Sequence, residues 1–390
     1  MNFLNELDVT PILNGVGPAT RLGGLNVDRD IIDEALACSQ ASFRMDELHV
    51  AASNYLEKTL PVPGGLVTCG AAAALTIATA VVLAGNDSDR MSRLPKVNWM
   101  KNKVLVQAGH HDPYDHAIIA AGADLMIVGD QDGCSITEIK LHINDEVCAI
   151  VFRCNESTNQ VSFEEIAQLC SEKKISLIVD AAIYVPPITR LKDFFDKGAR
   201  FVATSGGKGF RGPHTAGLLF CNKQDVILSL LQHLDMDERA KTWKFLQNQS
   251  ELPITLPTNG IARSMKVGKE QIFQMLLAIR NYTKRTKFAE GDLELKIIED
   301  SLLKEEIKCV RYFNDFLFVD TLKFFIGNAD EVDQFYNLLA KDQPRVILGQ
   351  ELTNEGFLTI NPMALNAGEG IEIAGKIIEI MRNQLKKARD

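Results

Sequence analysis

Short apolar runs alternate with helix-like segments between residues 50 and 220, and this alternation constrains the fold more than any other feature of the sequence. The clearest runs are residues 103–107, 125–128, 147–152, 175–180, 200–204 and 217–220. Apolar runs of this length, separated by helices such as the one expected at residues 162–173, are typical of strands that are buried on both faces. We therefore predict an α/β fold in which a mostly parallel sheet is covered by helices.

The pattern changes after residue 220. Here we predict helices at residues 225–246, 264–287 and 370–387, and strands at residues 316–319 and 345–348. A chain of 390 residues is too long for one ordinary hydrophobic core. We expect three parts: an N-terminal segment near the active site (1–45), a large domain (46–262), and an interdomain helix with a smaller C-terminal α/β domain (263–390).

The composition limits the partners of the protein. Its net charge of −9 opposes loose binding to nucleic acid, which depends on Lys and Arg side chains that neutralise phosphates. The N-terminus has no basic region followed by an apolar core, and the longest apolar stretch is too short to span a bilayer. The eight cysteines are scattered without CxxC or CxxH pairs, so we expect neither a metal site nor disulfides. We expect a cytoplasmic protein with no nucleic-acid or membrane partner.

Lys208 has an unusual setting in the segment Thr204-Ser-Gly-Gly-Lys208-Gly-Phe-Arg211-Gly-Pro213, which follows a predicted strand. A lysine that forms an imine must sit at a fixed place, partly removed from water, with room for a flat cofactor beside the backbone. Removal from water lowers the pKa of the amine and makes it nucleophilic. A glycine-rich turn that carries a solvated lysine is the alternative interpretation.

Asp180 ends the predicted strand 175–180 and is followed by Ala181 and Ala182. Ligands of open parallel sheets gather beyond the carboxyl ends of the strands. A carboxylate there can pair with the pyridine nitrogen of pyridoxal 5′-phosphate (PLP) and keep it protonated, so that the ring becomes an electron sink. An aspartate at a strand end can also be a simple helix cap, but together with the lysine segment it favours a PLP site with an imine at Lys208.

A phosphate group would suit the helix that is predicted to begin after Thr68. Cys69, Gly70 and Ala71 stand at its start, where free backbone N–H groups and the helix dipole favour an anion. Ser205 could add a hydroxyl. An Ala-rich core helix that begins with glycine is the structural alternative.

Two histidines, His110 and His111, follow the predicted strand 103–107. One imidazole could stack on the cofactor ring, and we favour His111 for this role and for catalysis. Capping or solvated histidines are the alternative, and His116 in the next helix is expected to be structural.

These features together resemble the fold-type I PLP enzymes, the aspartate aminotransferase superfamily. The shared features are the lysine loop, the VDAA strand end, the TCGAAAA helix start and the paired histidines. Two further stretches, NGVGPATRLGG (14–24) and GIARSMKVGKE (260–270), resemble the selenocysteine-synthase-like branch. That branch contains bacterial seryl-tRNA selenium transferase and the D-glucosaminate-6-phosphate ammonia-lyases.

The resemblance implies a fold-type I, PLP-transferase-like architecture and a homodimer or higher homo-oligomer. It implies PLP on Lys208, with the ring nitrogen on Asp180 and the phosphate at the TCGA helix start. It also implies that Arg263 and Lys266 face an anionic group of the substrate and that Thr20 binds the substrate. Both basic residues fall early in a predicted helical stretch, where solvated side chains are the alternative, and the spacing would place Lys266 and Lys269 on one face.

The named relatives labilise a bond at the substrate Cα and expel a β-substituent. By analogy, the freed Lys208 would act as general base at Cα, and loss of a β-hydroxyl followed by water would give ammonia and a 2-keto acid. Selenium transferase usually holds tRNA through an extra N-terminal domain, whereas the glycine-rich motif here starts by residue 14. The expected activity is therefore a lyase acting on a small β-hydroxy or sugar-derived amino acid.

Other functions remain open. A PLP-dependent transferase would replace the β-substituent, transfer selenium or sulfur, or move the amino group to a keto acid. A non-catalytic PLP-binding or regulatory protein is a third possibility, although such a protein has no need for an electron sink formed by Lys208 and Asp180. A dinucleotide-dependent dehydrogenase is disfavoured because no GxGxxG follows the first strand.

Overall fold

The computed structural model describes residues 3–98, 101–233, 257, 259–284 and 289–387. Its strands are Ile12–Asn14 (β1), Gly65–Thr68 (β2), Lys103–Gln107 (β3), Asp124–Val128 (β4), Val147–Arg153 (β5), Ser176–Asp180 (β6), Phe201–Ser205 (β7), Gly217–Phe220 (β8), Cys309–Asn314 (β9), Val319–Phe325 (β10), Arg345–Ile347 (β11) and Phe357–Ile360 (β12). Its helices are Phe3–Glu6 (α1), Arg29–Ser39 (α2), Met45–Thr59 (α3), Gly70–Ala84 (α4), Ser88–Arg93 (α5), His116–Ala120 (α6), Ile136–His142 (α7), Phe163–Lys173 (α8), Thr189–Asp196 (α9), Lys223–His233 (α10), Lys269–Lys284 (α11), Ala289–Lys304 (α12), Ala329–Lys341 (α13) and Glu369–Lys387 (α14). Within these described ranges, no helix combines the length and the apolar character that a membrane crossing requires.

Contacts within the chain separate two compact units, Met1–Asn26 with Arg285–Asp390 and Val27–Lys284. In the larger unit α2 packs on α11, and Arg280 of α11 binds the Glu34 carboxylate of α2 through both terminal nitrogens. These contacts place α2 and α11 in the same unit. The domain boundaries predicted at residues 46 and 262 are placed by changes in the sequence pattern and not by contacts. They stay a prediction.

The larger unit is built on a sheet. Among the described residues, seven strands form it in the order β2-β8-β7-β6-β5-β3-β4. Strands β3 to β7 pair in parallel, whereas β8 runs antiparallel between β7 and β2. Helices cover both faces, with α4, α6 and α10 on one side and α3, α8, α9 and α11 on the other. The predicted α/β fold with a mostly parallel sheet is confirmed.

The alternation of side chains along the strands decides which residues face α4. Ile178 and Ala203 belong to the core that contains α4, whereas Val179 belongs to the opposite core. Because successive side chains of a strand point to opposite faces, Asp180 and Ser205 lie on the α4 face. Both stand at the carboxyl ends of their strands, where the sequence predicts a ligand site.

The smaller unit contains an antiparallel sheet in the order β12-β10-β9, and β1 pairs with β11 in parallel. Its core includes Leu295 of α12, Phe335 of α13 and Ile377 of α14. The predicted strand at 316–319 is wrong, because residues 315–318 form the turn between β9 and β10. The Asn314 side chain accepts the Leu317 N–H, so a local turn outweighs the apolar run that suggested a strand.

The predicted helix 264–287 is interrupted. Ile261–Met265 form a 3-10 helix, Lys266 is extended (φ −60, ψ 147), and α11 begins at Lys269. Lys266 and Lys269 therefore do not share a helical face, contrary to the prediction. The intervening Val267 and Gly268 are weak helix formers, which explains the break. The predicted helical residues 234–246 and 285–287 lie outside the described residues.

Candidate active site

Asp180 is a buried carboxylate with two fixed partners. It ends β6 in direct register with Arg153 at the end of β5, and its side chain is only 7% exposed. The Nε of Arg153 donates to its Oδ2 at 2.9 Å, and the backbone N–H of Ala182 donates to its Oδ1 at 3.1 Å. A buried carboxylate needs such partners to remain ionised, and each oxygen can still accept a further hydrogen bond.

The Lys208 segment is the hairpin connection between β7 and β8. The N–H of Gly206 donates to the carbonyl of Ala216 at 2.9 Å, and the N–H of Gly212 donates to the carbonyl of Gly206 at 2.9 Å. A Cβ at Gly209 would lie 2.4 Å from a carbon of Pro186, so this position requires glycine. The glycines that the sequence analysis singled out thus close and pack a compact loop around the lysine.

Lys208 is mostly shielded from water. Burial lowers the pKa of its amine below the usual range, and the nearby Asp180 carboxylate opposes this shift only in part. The charge of Asp180 therefore acts on the amine, as the sequence analysis expects for two residues of one site. A lysine in this state is more readily neutral and nucleophilic than a solvated lysine.

The start of α4 lies against the first residue of β8, Gly217. Gly70 has a positive φ of 88°, which favours glycine. A Cβ on Gly217 would lie 2.2 Å from the carbonyl carbon of Gly70 and 2.6 Å from the nitrogen of Ala71, so only glycine lets the first turn come this close. Among the described residues, the side chain of the N-cap residue Cys69 caps no N–H of this turn. These N–H groups can therefore donate hydrogen bonds to an anion.

Ser205 belongs to the same corner of the sheet. It pairs in register with Gly217, which pairs in turn with Thr68 immediately before α4. Its own N–H donates to the carbonyl of Ala182 at 3.2 Å, next to the N–H that binds Asp180. Ser205 thus stands at the carboxyl edge between the strand that leads into α4 and the strand that carries Asp180.

The two histidines have different environments. Burial lowers the pKa of His110 to about 4, and the charge of Arg153 acts in the same direction. Its Nδ1 accepts the backbone N–H of Arg153 at 3.3 Å, and its ring packs edge-on against Phe152 with centroids 4.6 Å apart. His111 is exposed, with Nδ1 2.5 Å from Oδ2 of Asp115. The imidazole of His111 is therefore accessible to a ligand, whereas the ring of His110 is packed in the core, and the stacking role favoured for His111 stays a prediction.

The three predicted substrate residues lie in different places. Arg263 is half-buried in the 3-10 helix, and its charge lowers the pKa of the buried His233 on α10 after the larger effect of burial. Lys266 is exposed in the larger unit, and Thr20 is exposed at the start of a 3-10 helix in the smaller unit. Their roles toward a substrate stay predictions.

Arg153 and Asp115 are site residues that the sequence analysis missed. Arg153 is buried and touches Asp180, and Asp115 is buried and touches His111. The available signal was a charged residue at the end of the apolar run VCAIVFR. A basic side chain that ends a buried parallel strand points to a partner on the neighbouring strand.

No family model matches the chain. The D-glucosaminate-6-phosphate ammonia lyase of Salmonella typhimurium (strain 14028s / SGSC 2262) is 24% identical over 288 residues, which cover 72% of this chain and 70% of the lyase. The 5'-C-glycyluridine monooxygenase-decarboxylase of a Streptomyces species is 27% identical over 287 residues. That match covers 71% of this chain but only 64% of the Streptomyces enzyme, less than two thirds of its length.

A solved structure of D-glucosaminate-6-phosphate ammonia-lyase superimposes with a TM-score of 0.80 at 20% identity, covering 98% of this chain and 99% of that chain. The chain has the fold of the type I PLP enzymes. The predicted resemblance to the branch that contains this lyase is also confirmed.

The residues of this type I fold match the functional groups of PLP. The aldehyde carbon calls for an amine, the pyridine nitrogen for a carboxylate, and the phosphate for N–H and hydroxyl donors. The described residues offer the desolvated Lys208, the buried Asp180, and the uncapped start of α4 beside Ser205. This donor set fits the cofactor.

Proposed function

We propose that the protein is a PLP-dependent lyase that performs α,β-elimination on a small β-hydroxy or sugar-derived amino acid. The observation that carries this proposal is a mostly shielded Lys208 within the electrostatic influence of the buried Asp180 carboxylate at the carboxyl edge of the sheet. A purely structural lysine does not need removal from water, and a purely structural aspartate does not need such a neighbour. The 24% identity to the Salmonella lyase over most of the chain supports the same reaction class.

Bound PLP would supply an electron sink for the carbanion at the substrate Cα. In this assignment Lys208 would hold the cofactor, and its neutral amine would serve as general base toward the substrate Cα. Asp180 would accept a hydrogen bond from the protonated ring nitrogen. His111 would lie against the ring, and Ser205 with the start of α4 would bind the phosphate.

The net reaction is balanced without an oxidant. The substrate loses the Cα proton and the β-hydroxyl as water, and addition of water then releases ammonia and leaves a 2-keto acid. Arg263 and Lys266 are proposed to meet an anionic group of the substrate, and Thr20 is proposed as a further substrate-binding residue. A homodimer or higher homo-oligomer and a cytoplasmic location are also part of this proposal.

Borohydride labelling of Lys208 tests the proposal. The protein incubated with PLP should absorb at roughly 410–430 nm, the range of the cofactor's imine, and reduction should leave a stable adduct on the peptide that contains Lys208. Lys208→Ala should lose both the band and the adduct, together with all turnover. Lys223→Ala is a matched control, since Lys223 is an exposed lysine that pairs with Glu57, and it should behave as wild type.

Ammonia and 2-keto-acid release would then be measured with β-hydroxy amino acids and with phosphorylated sugar-derived amino acids. Product from at least one of these substrates, absent in Lys208→Ala, is expected. A protein that stays colourless with added PLP would contradict the proposal and favour a non-catalytic role. Product that appears only with a thiol donor would favour the transferase alternative.

The similarity to the Streptomyces monooxygenase-decarboxylase supports a second candidate activity. An oxygen-dependent decarboxylation would consume O₂ and release CO₂ from the carboxylate of the amino acid. Oxygen uptake and CO₂ release are therefore measured alongside ammonia with the same substrates. The lyase proposal requires ammonia release that continues without O₂.

A further inference from the structure

One guanidinium connects the charged groups around Asp180. The Nε of Arg153 donates to Asp180, and its Nη1 donates to the carbonyl of His110 and lies 3.1 Å from Oδ1 of Asp112. Its Nη2 lies 3.0 Å from Oδ1 of Asp115. Arg153 thus contacts three carboxylates, one at the end of β6 and two in the segment that follows β3.

The cluster has more carboxylates than guanidinium groups, and Arg153 and Asp115 are buried whereas Asp112 is half-buried. The side chains of Arg153 and Asp115 are 5% and 3% exposed, so their charges depend on each other. Burial alone would lower the pKa of Arg153, but Asp180, Asp112 and Asp115 outweigh it and raise the pKa. Burial raises the pKa of Asp112. A single guanidinium among three carboxylates leaves negative charge to favour another cation, such as a protonated ring nitrogen.

Asp115 extends the cluster to His111. One carboxylate oxygen of Asp115 faces Arg153 at 3.0 Å, and the other lies 2.5 Å from Nδ1 of His111. A carboxylate is only an acceptor, so Nδ1 of His111 must carry the proton in this contact. The exposed imidazole is therefore oriented by a carboxylate that forms an ion pair with Arg153 and also accepts the backbone N–H of Asp112 at 3.4 Å.

We propose that Arg153 is a positioning residue of the PLP site. Its guanidinium fixes the Asp180 carboxylate for the ring nitrogen and, through Asp115, fixes the imidazole of His111 in one tautomer and orientation. This inference rests on the proposed function, which gives Asp180 and His111 their roles. A guanidinium suits the task because its planar donors reach several acceptors at once, whereas a lysine ammonium acts as a point charge.

The first test uses the cofactor-free protein. Side-chain ¹⁵N NMR of histidine would report the tautomer of His111, whose signals are identified by their loss in His111→Gln. Wild type should show the Nδ1–H tautomer, and both Arg153→Gln and Arg153→Lys should show a mixture of tautomers. A single Nδ1–H tautomer in both variants would overturn the proposal.

The second test uses PLP uptake. Arg153→Gln should raise the Kd for PLP about tenfold, as expected for the loss of a charge-assisted hydrogen bond. It should also move the pH midpoint of the visible absorbance upward by about one unit, because a positive charge near Asp180 is removed. Arg153→Lys keeps the charge and should leave the midpoint near that of wild type. An unchanged midpoint and Kd in Arg153→Gln would contradict the proposed link to Asp180.

Arg200 offers the matched control, since it also pairs with a buried aspartate of this unit. Arg200→Gln and Arg200→Lys should leave the His111 tautomer and the PLP midpoint unchanged. If Arg153→Gln does not fold, the proposal is tested by Arg153→Lys alone: a mixture of His111 tautomers supports it, and a single Nδ1–H tautomer overturns it. A wild-type protein that takes up no PLP would refute the proposed function, while the tautomer comparison would still decide whether Arg153 positions His111.

Discussion

An arginine pairs with a buried aspartate at each end of the central strands, and the two pairs differ in how their charges are matched. At the amino end, Arg200 precedes β7 and binds both oxygens of Asp225, at 3.0 and 2.7 Å. Asn222 and the Ser176 hydroxyl satisfy further hydrogen bonds of this pair. At the carboxyl end, Arg153 faces three carboxylates.

The difference separates the amino-end ion pair from the proposed binding site. The amino-end pair has one charge of each sign and neutral partners for the remaining groups, so it attracts no further ion. The carboxyl-end cluster has more carboxylates than guanidinium groups and is largely shielded from water. This excess of negative charge favours an incoming cation. Both pairs consist of an arginine and an aspartate, but we assign them different roles because the charges around them differ.

Asp180→Asn should have the largest effect of any change in these two pairs. The amide keeps the size of the side chain but cannot hold a charged ring nitrogen, so kcat/KM for ammonia release should fall about 10²- to 10³-fold, as for the loss of one preorganised electrostatic contact. Steady-state kinetics of the PLP-loaded protein would measure this loss, with thermal unfolding as the control for folding. A decrease of less than threefold would remove Asp180 from its assigned role.

Asp225→Asn should act on stability instead of rate. Loss of the carboxylate leaves Arg200 with weaker acceptors, and a decrease of about 1–3 kcal/mol in the free energy of unfolding is expected. Urea titration would measure the decrease, and kcat/KM should stay within twofold of wild type. A large loss of activity at unchanged stability would show that the amino-end pair is not merely structural.

His110 should give the carboxyl end a sensitivity to acid. Its pKa in the folded protein is about 4, below the ordinary value of 6.5, so the unfolded chain binds more protons in this range. The stability contributed by neutral His110 is complete above pH 6.5 and is lost as the pH falls toward 4; the loss at pH 5.5 should be about 1 kcal/mol.

Unfolding free energies of wild type and His110→Asn between pH 7 and pH 5 would check this prediction. The variant should show a shallower decrease with acid. The buried His49 and His233, with pKa values of about 3 and about 4, contribute to both proteins and cancel in the difference. Equal slopes would mean that His110 does not need to be neutral.

Sequence reasoning predicts the sheet and the central pair of site residues because their signals are local. The strand ends at Lys103–Gln107 and Gly217–Phe220 are predicted without error, since buried strands leave uninterrupted apolar runs. Lys208 and Asp180 stand out because their residue types are unusual in such positions. These signals do not depend on which strand lies beside which.

The missed features depend on contacts between distant segments. Arg153 can be recognised as a neighbour of Asp180 only from the parallel register of their strands. Asp115 can be recognised only from the path of the segment after β3, which brings it against Arg153. The break before α11 is a further example, because the pattern around Val267 and Gly268 is compatible with a continuing amphipathic helix until the glycine is weighed as a helix breaker. Spacing along a chain does not encode strand register.

The hairpin that carries Lys208 also affects how a cofactor would be gained and lost. Because backbone hydrogen bonds close the loop at its base, its conformational entropy, about 1–2 kcal/mol per residue, is lost when the chain folds and not when a ligand arrives. The empty protein therefore presents its amine on a preorganised loop, and association requires no ordering of this segment. Release and reloading of the cofactor should be reversible, with an association rate that does not depend on the folding of the loop.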